Sequence, residues 1–122
     1  MNEVLVVQDL SKKIRRREII KDVNFQVSKG DICGFIGPNG AGKTTIIRML
    51  TSLVKPTSGE IGLNGYDVIK NRKEALKHLG AIVESPIFFS HMSGEEALMN
   101  LALLIPNQSK VKRQQKVSEV LE

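Results

Sequence analysis

Cysteine, aromatic residues and long apolar runs are scarce in this sequence of 122 residues, which has no tryptophan, one tyrosine and one cysteine. A single cysteine, Cys33, excludes an internal disulfide and fits a reducing compartment. The longest apolar run covers residues 101–105, far short of the roughly 18 residues that a membrane span requires. Residues 1–10 lack the basic stretch and the cleavage-site pattern of a secretion signal. We therefore expect a cytoplasmic protein that reaches a membrane only through a partner.

The length and composition are those of one globular domain. Hydrophobic residues make up 41% of the chain and charged residues 25%, which leaves enough apolar material for a core. The formal net charge of +5 suits nucleic acid, an anionic membrane surface or phosphate ligands. It equally suits a basic surface that contacts only water, so charge alone does not choose a function.

Alternating and β-branched apolar residues predict two strands near the start of the chain, at residues 4–10 and 19–27, on either side of a basic turn at residues 11–18. A short apolar run at residues 31–36, bounded by turn residues, predicts a buried strand. After a glycine-rich stretch, apolar residues recur at helical spacing: Ile46, Ile47, Met49, Leu50 and Leu53.

The middle of the chain is predicted to alternate between short strands and one short helix. Residues 60–63 predict a strand, and Asn64 and Gly65 after it predict a tight turn. Residues 72–79 predict a helix that ends at a glycine. Residues 81–84 predict a second buried strand.

Two helices are predicted at the end of the chain. Ser93 and Glu96 form a capping box that opens the first, and Pro106 ends it. Ser109 caps the second, at residues 110–122. This last helix shows no stop signal, so we expect the natural domain to continue beyond residue 122.

The glycine-rich stretch matches the pattern G-x-x-x-x-G-K-[ST] of a phosphate-binding loop. It lies between a predicted strand and a predicted helix, so its backbone N–H groups and the helix N-terminus can face the same phosphate. Lys43 would carry a full charge to the β- and γ-phosphates, Thr44 would ligate Mg²⁺, and Thr45 would donate to the α-phosphate. The residues assigned to nucleotide binding are Gly37, Pro38, Asn39, Gly40, Ala41, Gly42, Lys43, Thr44 and Thr45.

Two other nucleotide-binding classes lack their motifs in this sequence. A dinucleotide site requires G-x-G-x-x-G after a strand, with a carboxylate about 20 residues on, and no such combination is present. No N-K-x-D motif for reading guanine is present either. We therefore do not expect a dehydrogenase or a GTPase.

Four segments in order resemble the ATP-binding subunits of ABC transporters, and together they cover nearly the whole chain. They read IIKDVNFQVSKGDICGFIGPNGAGKTT, LVKPTSGEIGLNGYDV, LGAIVESP and MSGEEALMNLA. The resemblance implies an α/β fold with a P-loop NTPase core and an N-terminal antiparallel β hairpin. It also implies ATP and Mg²⁺ as ligands. The partners it implies are a membrane permease, which holds the protein at the inner face of the cell membrane, and a second ATP-binding subunit. Nucleic acid is not expected as a partner.

Two positions depart from the pattern of that family. The family places an aromatic residue that stacks on adenine where this chain has Ile14, which offers no π face. Arg15, Arg16 or Arg17 can stack on the base instead, or can form a solvated turn. The family places a glutamine that contacts Mg²⁺ and the attacking water where this chain has Glu84. Glutamate here resembles subunits that export antimicrobial peptides or protect against them, and makes Glu84 a candidate catalytic residue and metal ligand.

The segments with which the family hydrolyses ATP are not in this sequence: a signature resembling LSGGQ, an apolar strand ending in Asp-Glu, and a late histidine. We therefore expect residues 1–122 to be the N-terminal portion of a single, truncated ABC-type domain that binds ATP but is catalytically incomplete. The intact subunit would hydrolyse ATP to drive export across a membrane. Two alternatives stay open: a regulatory module that binds ATP without hydrolysis, and a soluble factor acting on the ribosome or nucleic acid.

Overall fold

The structure, a computed structural model, describes residues 2–37, 42–83 and 89–122. The chain divides into two compact units, Met1–Glu84 and Ser85–Glu122. The first unit contains a sheet and two short helices, and the second contains two helices.

An antiparallel sheet forms the first unit. Its strands are β1 (Glu3–Ile14), β2 (Arg17–Ser28), β3 (Ser58–Leu63) and β4 (Tyr66–Asp67), in the order β2-β1-β3-β4. The predicted hairpin is confirmed, but the predicted basic turn was too long. Only Arg15 and Arg16 lie between the strands, because the residues on either side of them pair across the hairpin.

Four register shifts interrupt the pairing of β1 with β2. Asp9 has φ 49° and Asp22 has φ 42°, both in the left-handed region. The Asp9 N–H donates to Asn24 Oδ1 at 2.9 Å, and the Asp22 N–H donates to Ser11 Oγ at 3.0 Å. Side chains therefore accept from amide groups at the irregular positions of the hairpin, which keeps these donors paired.

Helix α1 (Lys43–Leu50) packs its apolar face on the sheet. The predicted helix is confirmed through Leu50, but Leu53 lies beyond its end and is exposed. Fully or nearly fully buried side chains from the sheet, from α1 and from the stretch after β4 form one core: Val7, Leu10, Ile20, Ile46, Met49, Ile61, Leu63, Val68 and Ala75.

The predicted turn at Asn64 and Gly65 is confirmed, with φ 51° and 85°, values that join β3 to β4 in a tight hairpin. Helix α2 (Arg72–Leu76) confirms the next predicted helix but ends three residues earlier than expected. The Leu79 N–H still donates to Leu76 O at 3.1 Å, so a single turn follows the helix.

The two predicted buried strands are not formed. Residues 31–37 and 81–83 have no regular structure, and Ile32, Ile36 and Ile82 are exposed. A buried strand requires hydrogen-bonding neighbours, and within the described ranges no strand runs beside either segment. The apolar pattern therefore predicted the wrong state for the described residues of both segments. Glu84 lies outside the described residues, so the prediction there is not tested.

Two capped helices form the second unit, α3 (Gly94–Ala102) and α4 (Lys110–Leu121). Ser93 Oγ accepts from the Glu96 N–H and Ser109 Oγ accepts from the Lys112 N–H, each at 3.2 Å, so both predicted N-caps are confirmed. The buried contacts between the helices come from small side chains: Ala97, Ala102 and Val117. None of the helices in the described ranges has the length and apolarity to cross a bilayer.

Candidate functional site

The two ends of the glycine-rich loop lie close together in the first unit. Gly37 is the last residue described before the loop, and Gly42 is the N-cap of the helix that follows. The Lys43 ammonium donates to the Gly37 carbonyl oxygen. This bond joins the two described ends of the loop.

The conformation of Gly42 favours glycine, and its surroundings leave little space for a side chain. Its φ is +95°, in the left-handed region that side chains with a Cβ rarely adopt. A Cβ at this position would overlap the end of the Ile20 side chain and would lie 3.5 Å from Ile19 O. The end of the loop therefore packs directly against β2.

The N-terminus of α1 presents hydrogen-bond donors at the loop. The first intrahelical bond runs from the Ile46 N–H to Gly42 O at 2.9 Å. The N–H groups of Lys43, Thr44 and Thr45 precede that bond and have no intrahelical acceptor. Together with the helix dipole they favour an anion. The Thr44 side chain is exposed and Thr45 is half-buried.

The donor set fits a nucleoside triphosphate with its magnesium ion. An ammonium, free backbone N–H groups and a left-handed glycine are the features with which a loop holds phosphate oxygens. Among the described residues, no group of three or more His, Cys, Asp or Glu side chains could hold a metal. The Thr44 hydroxyl is exposed, and its role as a Mg²⁺ ligand stays a prediction.

Five of the predicted site residues lie outside the described residues: Pro38, Asn39, Gly40, Ala41 and Glu84. Their roles stay predictions.

Ile14 lies at the end of β1 and is 49% exposed. It pairs with Arg17 across the tip of the hairpin. Ile19 and Ile20 are neighbours of the loop that were not predicted from the sequence. They lie in β2 and contact Gly42, and no motif marks them because their role is packing. They connect the hairpin that carries Ile14 to the loop that carries Lys43.

Comparison with known proteins identifies the chain's relatives. The family model described as ABC transporter matches residues 20–122. An uncharacterized ABC transporter ATP-binding protein of Bacillus subtilis, YhcH, is 40% identical over 122 residues, which is 100% of this chain and 39% of that protein. The bacitracin transport ATP-binding protein BcrA of Bacillus licheniformis is 41% identical over the same share of each chain. The lantibiotic transport ATP-binding protein SrtF of Streptococcus pyogenes is 40% identical over 90 residues, 74% of this chain and 38% of that protein.

A solved structure shares the fold. It is described as the structure of the ATP binding subunit of an ABC transporter, and it superposes with a TM-score of 0.75 at 31% identity. The match covers 89% of this chain and 45% of that one. The chain thus spans about two fifths of the length of the curated relatives named above. With the loop geometry, the family match and the fold in agreement, the chain belongs to the ABC transporter family of ATP-binding proteins.

Proposed function

We propose that this chain binds ATP with Mg²⁺ as part of the ATP-binding subunit of an ABC transporter. The observation that supports this most directly is the base of the phosphate loop, where Lys43 bonds to Gly37 O and Gly42 packs on Ile20. The two described ends of the loop are therefore joined by a hydrogen bond, and the start of α1 is packed on β2.

Each residue of the loop has a proposed role. The loop from Gly37 to Thr45 would surround the phosphates with N–H donors, and Lys43 would neutralise their charge. Thr44 would contact the magnesium ion. Glu84 is proposed as a second contact to it, and Ile14 as the residue beside the base. When bound, Mg²⁺ would offset the charge of the triphosphate.

The whole protein is proposed to drive transport. Two relatives are named for the transport of bacitracin and of a lantibiotic, which suggests export of an antimicrobial peptide as the task of this protein. A membrane permease and a second ATP-binding subunit would be its partners, and the inner face of the cell membrane its location. The two compact units would belong to one domain.

Hydrolysis is proposed to require more than the 122 residues. The sequence contains no LSGGQ-like segment and no apolar strand ending in Asp-Glu. Phosphoryl transfer depends on charges and dipoles placed around the γ-phosphate, so a chain without these groups should bind ATP and turn it over slowly.

Calorimetric titration of the chain with Mg-ATP tests the proposal. Lys43→Ala should weaken binding by roughly 10-fold to 100-fold, because a charge-assisted hydrogen bond contributes about 1.5–3 kcal/mol. Lys77→Ala is the matched control, since Lys77 is an exposed lysine of the same unit at the end of α2. Circular dichroism of both variants would show that they fold. Equal Mg-ATP affinity in the two variants would contradict the proposed site.

A further inference from the structure

The helix that follows the phosphate loop begins without a side-chain cap. Its N-cap is Gly42, which has no side chain to accept a hydrogen bond. Helices α3 and α4 begin instead at Ser93 and Ser109, whose hydroxyls accept from the first turn. A capping hydrogen bond fixes where a helix starts, so another contact must fix the start of α1.

The missing cap leaves donors available at the loop. A capping side chain would accept from the N–H of the second or third helical residue, here Thr44 or Thr45. These are N–H groups that a bound phosphate would use. A glycine N-cap therefore suits phosphate binding, provided that packing holds the start of the helix in position.

The packing comes from two isoleucines of β2. A Cβ on Gly42 would overlap Ile20 Cδ1, and would lie 3.5 Å from Ile19 O and 3.6 Å from Ile19 Cγ2. Because a Cβ is only about 1.5 Å from its Cα, the Gly42 backbone is itself within van der Waals reach of Ile20 Cδ1. The start of α1 thus rests on the terminal methyl group of one side chain.

That methyl group is held by the core of the first unit. Ile20 is 3% exposed and belongs to the same buried cluster as Ile46 in the second turn of α1. It pairs with Lys12 across the hairpin, so its backbone is fixed by the sheet. Its side chain branches at Cβ, which restricts rotation about χ1. Ile20 therefore presents a fixed surface to Gly42.

A shift at Gly42 would move several phosphate-binding groups together. The Lys43 ammonium and the N–H groups of Thr44 and Thr45 all belong to the first turn of α1, directly after Gly42. Hydrogen bonds weaken steeply when their distance and angle depart from the favoured range. A small displacement of this turn would therefore weaken several contacts to phosphate at the same time.

We propose that Ile20 is a positioning residue for phosphate binding. Its Cδ1 packs on Gly42 in place of a polar cap, and so orients the lysine and the free N–H groups toward the phosphates. This inference rests on the proposed nucleotide binding. Since the contact acts on the phosphate end alone, its loss should weaken the binding of ATP and of inorganic triphosphate by the same factor.

Affinities of the 122-residue chain for Mg-ATP and magnesium triphosphate test the proposal. Ile20→Val removes the Cδ1 that Gly42 meets, and should weaken both ligands by about 5-fold. Ile61→Val is the matched control. Ile61 is 2% exposed in the same core and loses the same carbon, but it lies in β3, which β1 separates from β2. It should change either affinity by less than about 2-fold.

Thermal unfolding separates positioning from stability. Both isoleucine-to-valine variants should lower the melting temperature by similar amounts, about 3–6 °C, because each removes one buried methyl group. A purely structural role of Ile20 would therefore give the two variants the same affinity as well as the same stability.

A double variant tests the contact itself. Gly42→Ala adds a carbon where Ile20 Cδ1 lies, and should weaken Mg-ATP binding by about 10-fold or more. In the Ile20→Val background the same change should cost about 3-fold less, because the overlapping carbon is gone and the remaining neighbours are at ordinary contact distance. The cost of the left-handed φ is common to both backgrounds and cancels.

The outcomes distinguish this inference from the proposed function. If Lys43→Ala weakens binding but Ile20→Val and Ile61→Val have equal affinities, the inference fails and the phosphate site stands. Additive effects of Gly42→Ala and Ile20→Val would also overturn it, as would a loss confined to ATP with unchanged triphosphate binding. If the unmodified chain binds neither ligand, both the inference and the proposed function fail.

Discussion

Two regions of the first unit have similar short apolar sequences but opposite structures. In the antiparallel sheet, Leu10 and Ile61 are buried and lie in strands that pair along their length. In residues 31–37 and 81–83, the two segments predicted as buried strands, Ile32 and Ile82 are exposed and no strand forms. Side-chain composition is therefore not what separates the two regions.

The difference lies in where a strand finds its partner. In the sheet, turns of two residues join β1 to β2 and β3 to β4, so neighbouring strands are also neighbours in sequence. Residues 31–37 are instead held near their ends and at one side chain. The Asp31 N–H donates to Ser28 O, Phe35 packs on Phe25, and Gly37 O accepts from Lys43. These contacts fix the approach to the loop without forming a ladder.

Truncating one buried and one exposed aliphatic residue would test this comparison most strongly. Leu10→Ala should lower the free energy of unfolding by about 2–5 kcal/mol, because its side chain is fully buried and a cavity would remain. Ile32→Ala should change it by less than about 0.5 kcal/mol, because the side chain contacts little. Urea denaturation of both variants against the unmodified chain measures the difference.

A loss of stability in Ile32→Ala similar to that in Leu10→Ala would contradict the comparison. It would mean that residues 31–37 bury their apolar side chains in solution, as a paired strand does.

Two glycines with left-handed backbones, one in β3 and one in the turn after it, test how closely the strands of the sheet pack. Gly59 and Gly65 have φ +92° and +85°. A Cβ on Gly59 would lie 2.6 Å from Leu10 Cα, whereas a Cβ on Gly65 would meet nothing within 4 Å. Alanine at either position bears the conformational cost of about 1 kcal/mol or more. Alanine at Gly59 should cost about 1–3 kcal/mol in addition, because the backbones of β1 and β3 must separate.

Thermal or urea unfolding of Gly59→Ala and Gly65→Ala measures that difference directly, because the conformational term is common to both. Equal stabilities would show that β3 can move away from the bulge at Asp9 without loss, and that close packing does not hold this part of the sheet together.

The sequence predicted the locally determined parts of the structure well. The hairpin, the Asn64–Gly65 turn and the caps at Ser93 and Ser109 depend on residues within a few positions of one another. The helix that follows the phosphate loop was also predictable, because its apolar residues recur at helical spacing, whereas the strand predicted before the loop does not form. The packing of Gly42 on Ile20 was not, since it joins residues 22 apart and depends on how α1 lies on the sheet. The strand predictions for residues 31–36 and 81–83 were wrong for the same reason, because an apolar pattern indicates that a segment can pair but not whether a partner strand is present.

The smallest expected effect concerns Asp67 at the end of β4, where its side chain forms hydrogen bonds with residues close in sequence. Its Oδ1 accepts from the N–H groups of Ile69 at 2.8 Å and Lys70 at 2.9 Å. The Lys70 N–H and then the Ile69 N–H lower the pKa of this carboxyl below its usual value of 3.8. A lowered pKa in the folded state means that ionised Asp67 stabilises the fold above the unfolded pKa, and that this contribution is lost as pH falls through the folded pKa. The group is well exposed, so solvent limits the contribution to about 1 kcal/mol or less.

Asp67→Asn isolates the charge, because asparagine keeps an oxygen that can accept both N–H groups. The unfolding free energy of the unmodified chain should exceed that of the variant by a constant amount from pH 7 to about pH 5, and the difference should shrink below about pH 4. Urea denaturation across this range measures it. A difference that persists at about pH 2, or that grows as pH falls, would show that the carboxylate charge is not what stabilises this turn. In that case Asp67 would act by shape alone, and the sheet would be closed at this edge by its hydrogen bonds without help from charge.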